Sequence, residues 1–123
     1  MTATATLAMV NLDCDDPRTL AQFYHDLLDW EITHSQDEYA MVSSGGTDIG
    51  FGRIEDYQPP HWPDPASPKR YHLDLYVDDL DKAEARCLEL GASKPAFQPG
   101  GDRWHVLTDP AGHPFCICAR SEG

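Results

Sequence analysis

The stretch HLDLYVDDLDKAEARCLELGA, residues 72–92, contains the two elements that decide the fold. Its first part, HLDLYV, alternates polar and apolar residues, which is typical of a β-strand with two different faces. Its second part places acidic residues before an apolar-periodic run and ends on Gly91, the pattern of a capped helix. The stretch therefore predicts a strand that is followed directly by a helix.

The same strand and helix occur near the start of the chain, in MVNLDCDDPRTLAQFYHDLLDW, residues 9–30. An offset of 63 residues (72 − 9 = 63) aligns the two stretches without a gap. The aligned pairs include Met9 with His72, Asn11 with Asp74, Asp13 with Tyr76, and Asp15-Asp16 with Asp78-Asp79. A repeat of this kind indicates an internal duplication of one supersecondary unit.

Three short strands are predicted after each helix, separated by turn signals. They are WEITHS (30–35), YAMVSS (39–44) and DIGFGRI (48–54) in the first half, and SKPAF (93–97), RWHVLTD (103–109) and PFCICA (114–119) in the second. Each half therefore reads βαβββ. Between the halves, residues 55–70 hold five prolines in sixteen positions, which is typical of a connecting loop.

The predicted fold class is α+β, in a single domain over residues 1–123. Module one covers residues 7–54, the proline-rich connector 55–70 and module two 71–119. With one helix covering one face of each sheet, the two modules are expected side by side, with the helices outside. Their other faces would form a curled sheet around a central cavity, which makes the residues on those faces the functional candidates.

The charge of the chain excludes some partners and favours others. Nine Lys and Arg against 21 Asp and Glu give a net charge of −12, a field that repels nucleic acid and anionic membranes and attracts cations. A cationic ligand is one interpretation, and solubility alone is the other.

The start shows no export signal and no apolar run long enough for a membrane span, so we expect a cytoplasmic protein with reduced cysteines.

Three passages of the chain resemble one known family. These are DPRTLAQFYHDLLDW, HLDLYVDDLDKAEARCLELGA and the closing DPAGHPFCIC. They resemble the vicinal oxygen chelate superfamily, which includes glyoxalases, bleomycin-resistance proteins, fosfomycin-resistance enzymes and extradiol dioxygenases, and within it the glyoxalase-like branch. The resemblance implies two βαβββ modules, a ligand site between them and a homodimer.

The resemblance also implies where metal ligands would stand. In metal-dependent members the equivalent positions are Met9 and Gly50 or Gly52 in module one, and His72 and Cys116 in module two. His72 and Cys116 would suit zinc, but two ligands fall short of the three or four that zinc sites use. We therefore expect no catalytic metal, with His72 and Cys116 as weak candidates and Asp74, on the same strand face as His72, able to assist.

The remaining candidates lie on the predicted cavity side. His72 and Asp74 are the predicted catalytic pair, in which Asp74 would orient His72 as a general base. The predicted ligand-binding residues are Met9, Asn11, Asp13, Tyr76, Trp62, Trp104 and Cys116. Two alternatives stay open: Asn11, His72 and Asp74 could form a buried polar network, and Cys116 with Cys118 could be packing residues. Alternation shows that Trp104 and His105 face opposite ways, but not which faces inward.

Three functions are consistent with these features. The first is a protein similar to bleomycin-resistance proteins that binds a small molecule, cationic in view of the charge, without a catalytic metal. The second is a glyoxalase-type lyase or isomerase that uses His72 with Asp74, with or without a divalent metal. The third is a duplicated module that serves only for dimerisation. The sequence does not identify the ligand or the pathway.

Overall fold

The computed structural model of the protein describes residues 3–4, 6–61 and 71–120. The chain divides into two compact units, Met1–Tyr57 (unit 1) and Gln58–Gly123 (unit 2). The division falls within the predicted connector, 55–70. In the described part of the chain, no helix is long and apolar enough to cross a membrane.

Unit 1 has the predicted βαβββ order. Its elements are β1 (Val10–Cys14), α1 (Pro17–Leu28), β2 (Glu31–Ser35), β3 (Tyr39–Ser43) and β4 (Asp48–Arg53). The sheet order is β1-β4-β3-β2, with β1 parallel to β4 and the other two pairs antiparallel. The parallel pairing follows from the α1 crossover, since a helix must carry the chain back before a parallel strand can join the sheet.

The start of α1 is fixed as the sequence predicts. The Asp16 carboxylate accepts hydrogen bonds from the Thr19 backbone N–H at 3.3 Å and from the Thr19 hydroxyl at 2.6 Å, and Pro17 is the first helical residue. The apolar stripe of α1 packs on the sheet, where the Tyr24 ring stacks on Phe51 with centroids 5.5 Å apart. Phe51 and the residues that alternate with it therefore form the helix-facing side of this sheet.

Unit 2 contains β5 (Leu73–Val77), α2 (Leu80–Leu90), β6 (Trp104–Thr108) and β7 (Pro114–Ala119). The sheet order is β5-β7-β6, with β5 parallel to β7 and β6 antiparallel to it. Asp79 caps α2 by accepting the Lys82 N–H at 3.0 Å, and Gly91 ends it in a left-handed conformation with φ 118°. Both helix boundaries predicted from the sequence are confirmed.

The strand predicted over SKPAF, residues 93–97, is wrong. Ser93 makes an isolated bridge to Thr108, and Pro95 lacks the N–H that a longer ladder needs. The Gln98 side chain replaces the missing strand, because it accepts the Val106 N–H at 2.9 Å and donates to the Val106 carbonyl at 2.9 Å. Unit 2 is therefore βαββ in its described residues.

The strand registers show that the strands of the two units pair at equivalent residues. Asn11 of β1 stands opposite Gly50 of β4, and Asp74 of β5 stands opposite Cys116 of β7. Because the sequence repeat aligns Asn11 with Asp74, Gly50 is the equivalent of Cys116. In the same way, β3 and β6 place Tyr39 and Trp104 at equivalent positions, opposite Gly52 and Cys118 respectively.

Candidate functional site

The helix-free face of the unit 2 sheet brings together His72, Asp74 and Cys116. Cross-strand pairing puts Cys116 directly beside Asp74, and alternation puts His72 on the same side, two residues before Asp74. One ligand atom from each of these side chains lies within 4.8 Å of the other two. The strand geometry therefore gathers a nitrogen, an oxygen and a sulfur donor at one point.

Within this cluster His72 and Asp74 are in direct contact. Their Nε2 and Oδ1 atoms are 3.1 Å apart, a hydrogen-bond distance. The His72 side chain is 11 % exposed, whereas the Asp74 side chain is 68 % exposed. An ionised carboxylate only accepts hydrogen bonds, so Nε2 is the donor and the contact fixes the orientation of the ring. This is the arrangement in which a carboxylate positions a histidine for ligand binding or proton transfer.

A pocket of about 270 Å³ opens at the cluster. Its described lining residues are His72, Asp74, Trp104, Cys116 and Cys118. A second pocket of about 250 Å³ is lined by Asp74, Leu75, Tyr76 and Cys118. The two pockets adjoin because they share Asp74 and Cys118, so polar, sulfur and aromatic groups line neighbouring spaces on one sheet face.

Trp104, and not His105, faces the pocket. The Trp104 indole packs directly against Gly100, in the space that a side chain there would occupy. A Cβ atom at Gly100 would lie 2.2 Å from Cδ2 of the indole. His105 points to the other side of the sheet, where its Nδ1 is 3.1 Å from Oε1 of Glu84 on α2. The Lys94 ammonium lies 2.9 Å from the same oxygen and forms an ion pair with Glu84 on this side of the sheet. The alternative that the sequence left open is thereby settled.

The four cysteines, all in the described part of the chain, have different surroundings, and none of them forms a disulfide. Cys116 is 4 % exposed, and the Cys118 thiol donates to the Leu75 carbonyl at 3.7 Å. Cys87 lies on α2, where burial and then the neighbouring Glu84 carboxylate raise the pKa of its thiol to about 11. Such a thiol stays protonated near neutral pH, which makes Cys87 an unreactive packing residue.

The equivalent face of unit 1 has different chemistry. The Tyr39 hydroxyl contacts two thioethers, Met9 Sδ at 3.3 Å and Met41 Sδ at 3.4 Å. A Cβ atom at Gly50 would lie 2.7 Å from the same hydroxyl and 3.0 Å from the Asn11 amide oxygen. No ligating side chain fits at Gly50 unless Tyr39 moves. The unit 1 half of the family's metal centre therefore does not fit this chain.

The structure thus places the predicted site residues in two groups. Unit 2 gathers His72, Asp74, Trp104 and Cys116 around one pocket, with Tyr76 in the adjoining one. Met9, Asn11 and Asp13 lie in unit 1, on or just before β1. Trp62 lies outside the described residues. The cavity between the two modules stays a prediction.

Two residues at these faces were missed by the sequence interpretation. The alternation of YAMVSS places Tyr39 on the same side as Met41, and that signal could have identified it. Gly100 gave no signal, because a glycine that an indole ring approaches closely looks like any other turn glycine in the sequence.

The Glyoxalase-like domain model matches residues 9–118 of the chain. The protein belongs to this family. Its fold is the two-module fold of the vicinal oxygen chelate superfamily, as the similar solved structures show. No curated protein matches the chain.

Three solved structures illustrate the likeness. The fosfomycin resistance protein FosX from Mesorhizobium loti is 16 % identical, with a TM-score of 0.67 and coverage of 97 % of this chain and 94 % of that one. A glyoxalase/bleomycin resistance protein from Albidiferax ferrireducens T118 is 21 % identical, with a TM-score of 0.61 and coverage of 94 % and 98 %. FosX from Listeria monocytogenes, in complex with Mn(II) and 1S,2S-dihydroxypropylphosphonic acid, is 15 % identical, with a TM-score of 0.68 and coverage of 97 % and 93 %. At these identities the likeness establishes the fold.

Proposed function

We propose that this protein binds a small molecule in the pocket on the helix-free face of unit 2. The observation that carries the proposal is the convergence of His72, Asp74 and Cys116 beside the Trp104 indole, around a space of about 270 Å³. A few convergent polar groups beside an aromatic wall are typical of small-molecule sites. The His72 and Asp74 side chains supply directional hydrogen bonds, and Trp104 supplies apolar area.

This binding does not depend on the family's two-module metal centre. Met9 and Gly50 stand at the unit 1 positions of that centre, and the Tyr39 hydroxyl occupies the space that a side chain at Gly50 would need. Hydrogen bonds and ring contacts to the pocket residues are sufficient to orient a ligand. The Mn(II) complex of the Listeria relative is therefore not carried over to this chain.

The charge of the protein supports a neutral or cationic ligand. The chain carries a net charge of −12, and the exposed Asp74 carboxylate borders both pockets. An anionic ligand would meet this field at close range, whereas a cation would be attracted to it. The volumes of the two pockets suit a ligand at the small end of the range for bound organic molecules.

The experiment is a screen of small fragments in neutral, cationic and anionic sets, followed by titration of tryptophan fluorescence. We expect the tightest binding in the cationic set. Trp104→Phe should remove most of the fluorescence response, while Trp30→Phe in unit 1 serves as the matched control. Asp74→Asn should weaken the binding of cationic fragments at least tenfold. Binding that is unchanged in both Trp104→Phe and Asp74→Asn would place the ligand elsewhere and reject the proposal.

The second candidate function is a glyoxalase-type lyase or isomerase. The observation in its favour is the 3.1 Å contact between His72 and Asp74, which is the geometry of a histidine base with an orienting carboxylate. Positioned acid or base groups contribute about 10² to 10⁴ in rate, so His72→Ala should lower turnover of the hemithioacetal substrates of glyoxalases by at least about 100-fold. His34→Ala, in the exposed β2 strand, is the control. Absence of turnover in the wild-type protein would leave binding as the function.

We further propose that the protein is a homodimer, as the family resemblance implies. Light scattering coupled to gel filtration should give twice the monomer mass. A monomer mass over the accessible concentration range would contradict this.

A further inference from the structure

The Cys116 thiol lies beside a histidine that a carboxylate orients. One donor atom from each of Cys116, His72 and Asp74 lies within 4.8 Å of the other two, and His72 Nε2 is 3.1 Å from Asp74 Oδ1. A nucleophile, a base and a third group that orients the base are the parts of an activated thiol, on whatever fold they occur. The cluster therefore has the composition of a nucleophilic site as well as that of a binding surface.

We propose that Cys116, with His72 as its base, adds covalently to small, neutral α,β-unsaturated carbonyl compounds bound in the unit 2 pocket. This inference rests on the proposed function, because the electrophile would occupy the same pocket of about 270 Å³. It deepens that function by naming the class of ligand and the bond that the ligand forms. The sulfur of cysteine is soft and polarisable, which suits an electron-poor alkene.

The step balances with the groups of the cluster alone. When the ring proton is on Nε2 and is donated to Asp74, Nδ1 of His72 carries the lone pair. The Cys116 thiol gives its proton to Nδ1, and the sulfur electron pair forms a bond to the β-carbon of the alkene. The π electrons move towards the carbonyl, and the proton then passes from His72 to the α-carbon. An S–H bond and a C=C π bond are replaced by S–C and C–H bonds, so neither an oxidant nor a leaving group is needed.

The positive charge that the thiolate needs comes from the His72 ring. Reactive thiolates lie next to cationic groups, among them a protonated histidine. The chain is acidic overall, but the Asp74 carboxylate stabilises the imidazolium that forms when the ring takes the proton. The His72 side chain is largely buried, so water screens this charge pair only weakly. The local charges thus favour proton transfer in spite of the net charge of −12.

The strand pairing already holds the thiol and the carboxylate side by side. Cys116 of β7 is the direct cross-strand partner of Asp74 of β5. The contact between a nucleophile and its base is often long before the substrate binds, and it shortens in the complex. The remaining adjustment is a rotation of side chains, without movement of either strand.

The other three cysteines provide a comparison within the chain. The thiols of Cys14 and Cys118 donate to backbone carbonyls at 3.5 and 3.7 Å. Cys87 is buried next to a carboxylate and stays protonated near neutral pH. Cys118 lines the same pocket as Cys116 and is the more exposed of the two. Exposure alone would therefore make Cys118 the faster thiol, whereas activation by His72 predicts the reverse order.

The test is the reaction of the freshly reduced full-length protein with acrylamide, a small neutral electron-poor alkene, followed by mass spectrometry of the intact chain and of its peptides. We expect one acrylamide per chain, on Cys116, and a rate at least about tenfold above that of Cys118. His72→Ala should lower the Cys116 rate by at least about 100-fold, the lower end of what a positioned base contributes. Asp74→Asn should lower it by about tenfold or more, because the ring can then take the other tautomer.

His34→Ala is the matched control for His72→Ala. His34 lies exposed on β2 of unit 1, so its removal should leave the Cys116 rate unchanged. Circular dichroism of each variant separates lost reactivity from lost folding. The order in which Cys116 and Cys118 react in the wild-type protein tests the proposal without any substitution.

Two results would overturn the nucleophile: a Cys116 rate equal to or below that of Cys118, or a Cys116 rate that His72→Ala leaves unchanged. Fluorescence titration with unreactive fragments distinguishes this failure from that of the proposed function. If fragments bind while Cys116 is not the faster thiol, the covalent step alone is rejected. If fragments do not bind either, both are rejected.

Discussion

The helix-free faces of units 1 and 2 have the same backbone frame and different chemistry. In unit 2 that frame presents imidazole, carboxylate, thiol and indole groups around a pocket. In unit 1 the equivalent positions carry a thioether, an amide, a glycine and a phenol, and the phenol hydroxyl contacts two thioethers. The equivalent pairs are Met9 and His72, Asn11 and Asp74, Gly50 and Cys116, and Tyr39 and Trp104. One duplicated framework therefore carries a donor-rich face and a donor-poor face, and the difference lies in the side chains.

The largest predicted effect on stability is a difference between two turns, one before β4 in unit 1 and one before β7 in unit 2. In unit 2 the buried Asp109 carboxylate accepts the N–H groups of Ala111 and His113 at 2.9 and 3.0 Å. In unit 1 the exposed Ser44 hydroxyl accepts two N–H groups in the same way. Because unsatisfied buried donors cost about 1 to 3 kcal/mol, Asp109→Ala should lower the free energy of unfolding by that amount.

Ser44→Ala should cost less than about 0.5 kcal/mol, as surface substitutions usually do. Asp109→Asn retains an oxygen acceptor and is expected to fall between the two. Urea denaturation of the three variants measures the comparison. Equal losses for Asp109→Ala and Ser44→Ala would show that burial does not distinguish these turns.

A second comparison concerns Gly100 and Gly46. A methyl group at Gly100 would meet the Trp104 ring at 2.2 Å, whereas a methyl group at Gly46 has no neighbour within 4 Å. Overpacking costs typically about 1 to 3 kcal/mol, so Gly100→Ala should destabilise the protein and displace Trp104. Gly46→Ala should be neutral or stabilise by up to about 1 kcal/mol. Thermal unfolding with near-ultraviolet circular dichroism reads both effects, and an unchanged tryptophan signal in Gly100→Ala would contradict the close packing.

A smaller effect is expected from Tyr39→Phe, which removes the hydroxyl shared by Met9 and Met41. The loss of a partly buried hydrogen bond should lower the free energy of unfolding by about 0.5 to 1.5 kcal/mol. Met41→Leu removes one thioether acceptor at similar volume and should cost less. Denaturant titration compares the two variants. A greater loss of stability in Met41→Leu than in Tyr39→Phe would mean that packing of the thioether, and not the hydroxyl contact, stabilises this face of the unit 1 sheet.

The smallest effect is a pH dependence at the start of α1. The hydrogen bond from the Thr19 hydroxyl is the main cause that holds the pKa of Asp16 below its ordinary value of 3.8. A carboxylate with a depressed pKa in the folded state stabilises the protein fully above the unfolded pKa and loses that contribution as pH falls through the folded one. Asp16→Asn should therefore reduce the loss of stability on acidification below about pH 4, which unfolding measured between pH 6 and pH 2 would show.

The sequence predicted much of this fold for identifiable reasons. The alternation in β1 and β5 and the caps at Asp16 and Asp79 are local signals, and the 63-residue repeat predicted the equivalence that the strand registers confirm. The absence of a strand over 93–97 could not be predicted from the sequence. There the Gln98 side chain makes the hydrogen bonds to Val106 that the backbone of a neighbouring strand usually makes.

The site was predictable only in part. Alternation placed His72 and Asp74 on one face, but the distances among His72, Asp74 and Cys116 depend on side-chain conformations that no periodicity encodes. The Tyr39 hydroxyl above Gly50 is a further example, because a residue on a neighbouring strand fills the space that the glycine leaves. What approaches a glycine is a property of tertiary packing.

Nuclear magnetic resonance mapping of the amide and side-chain shifts that change on addition of the tightest-binding fragment tests most directly whether the unit 2 face carries the binding site. The account predicts shift changes at His72, Asp74, Trp104 and Cys116, which line the pocket of about 270 Å³. The equivalent unit 1 residues Met9, Asn11 and Tyr39 should show none. Shift changes at those unit 1 residues without changes at His72, Asp74 and Trp104 would contradict it.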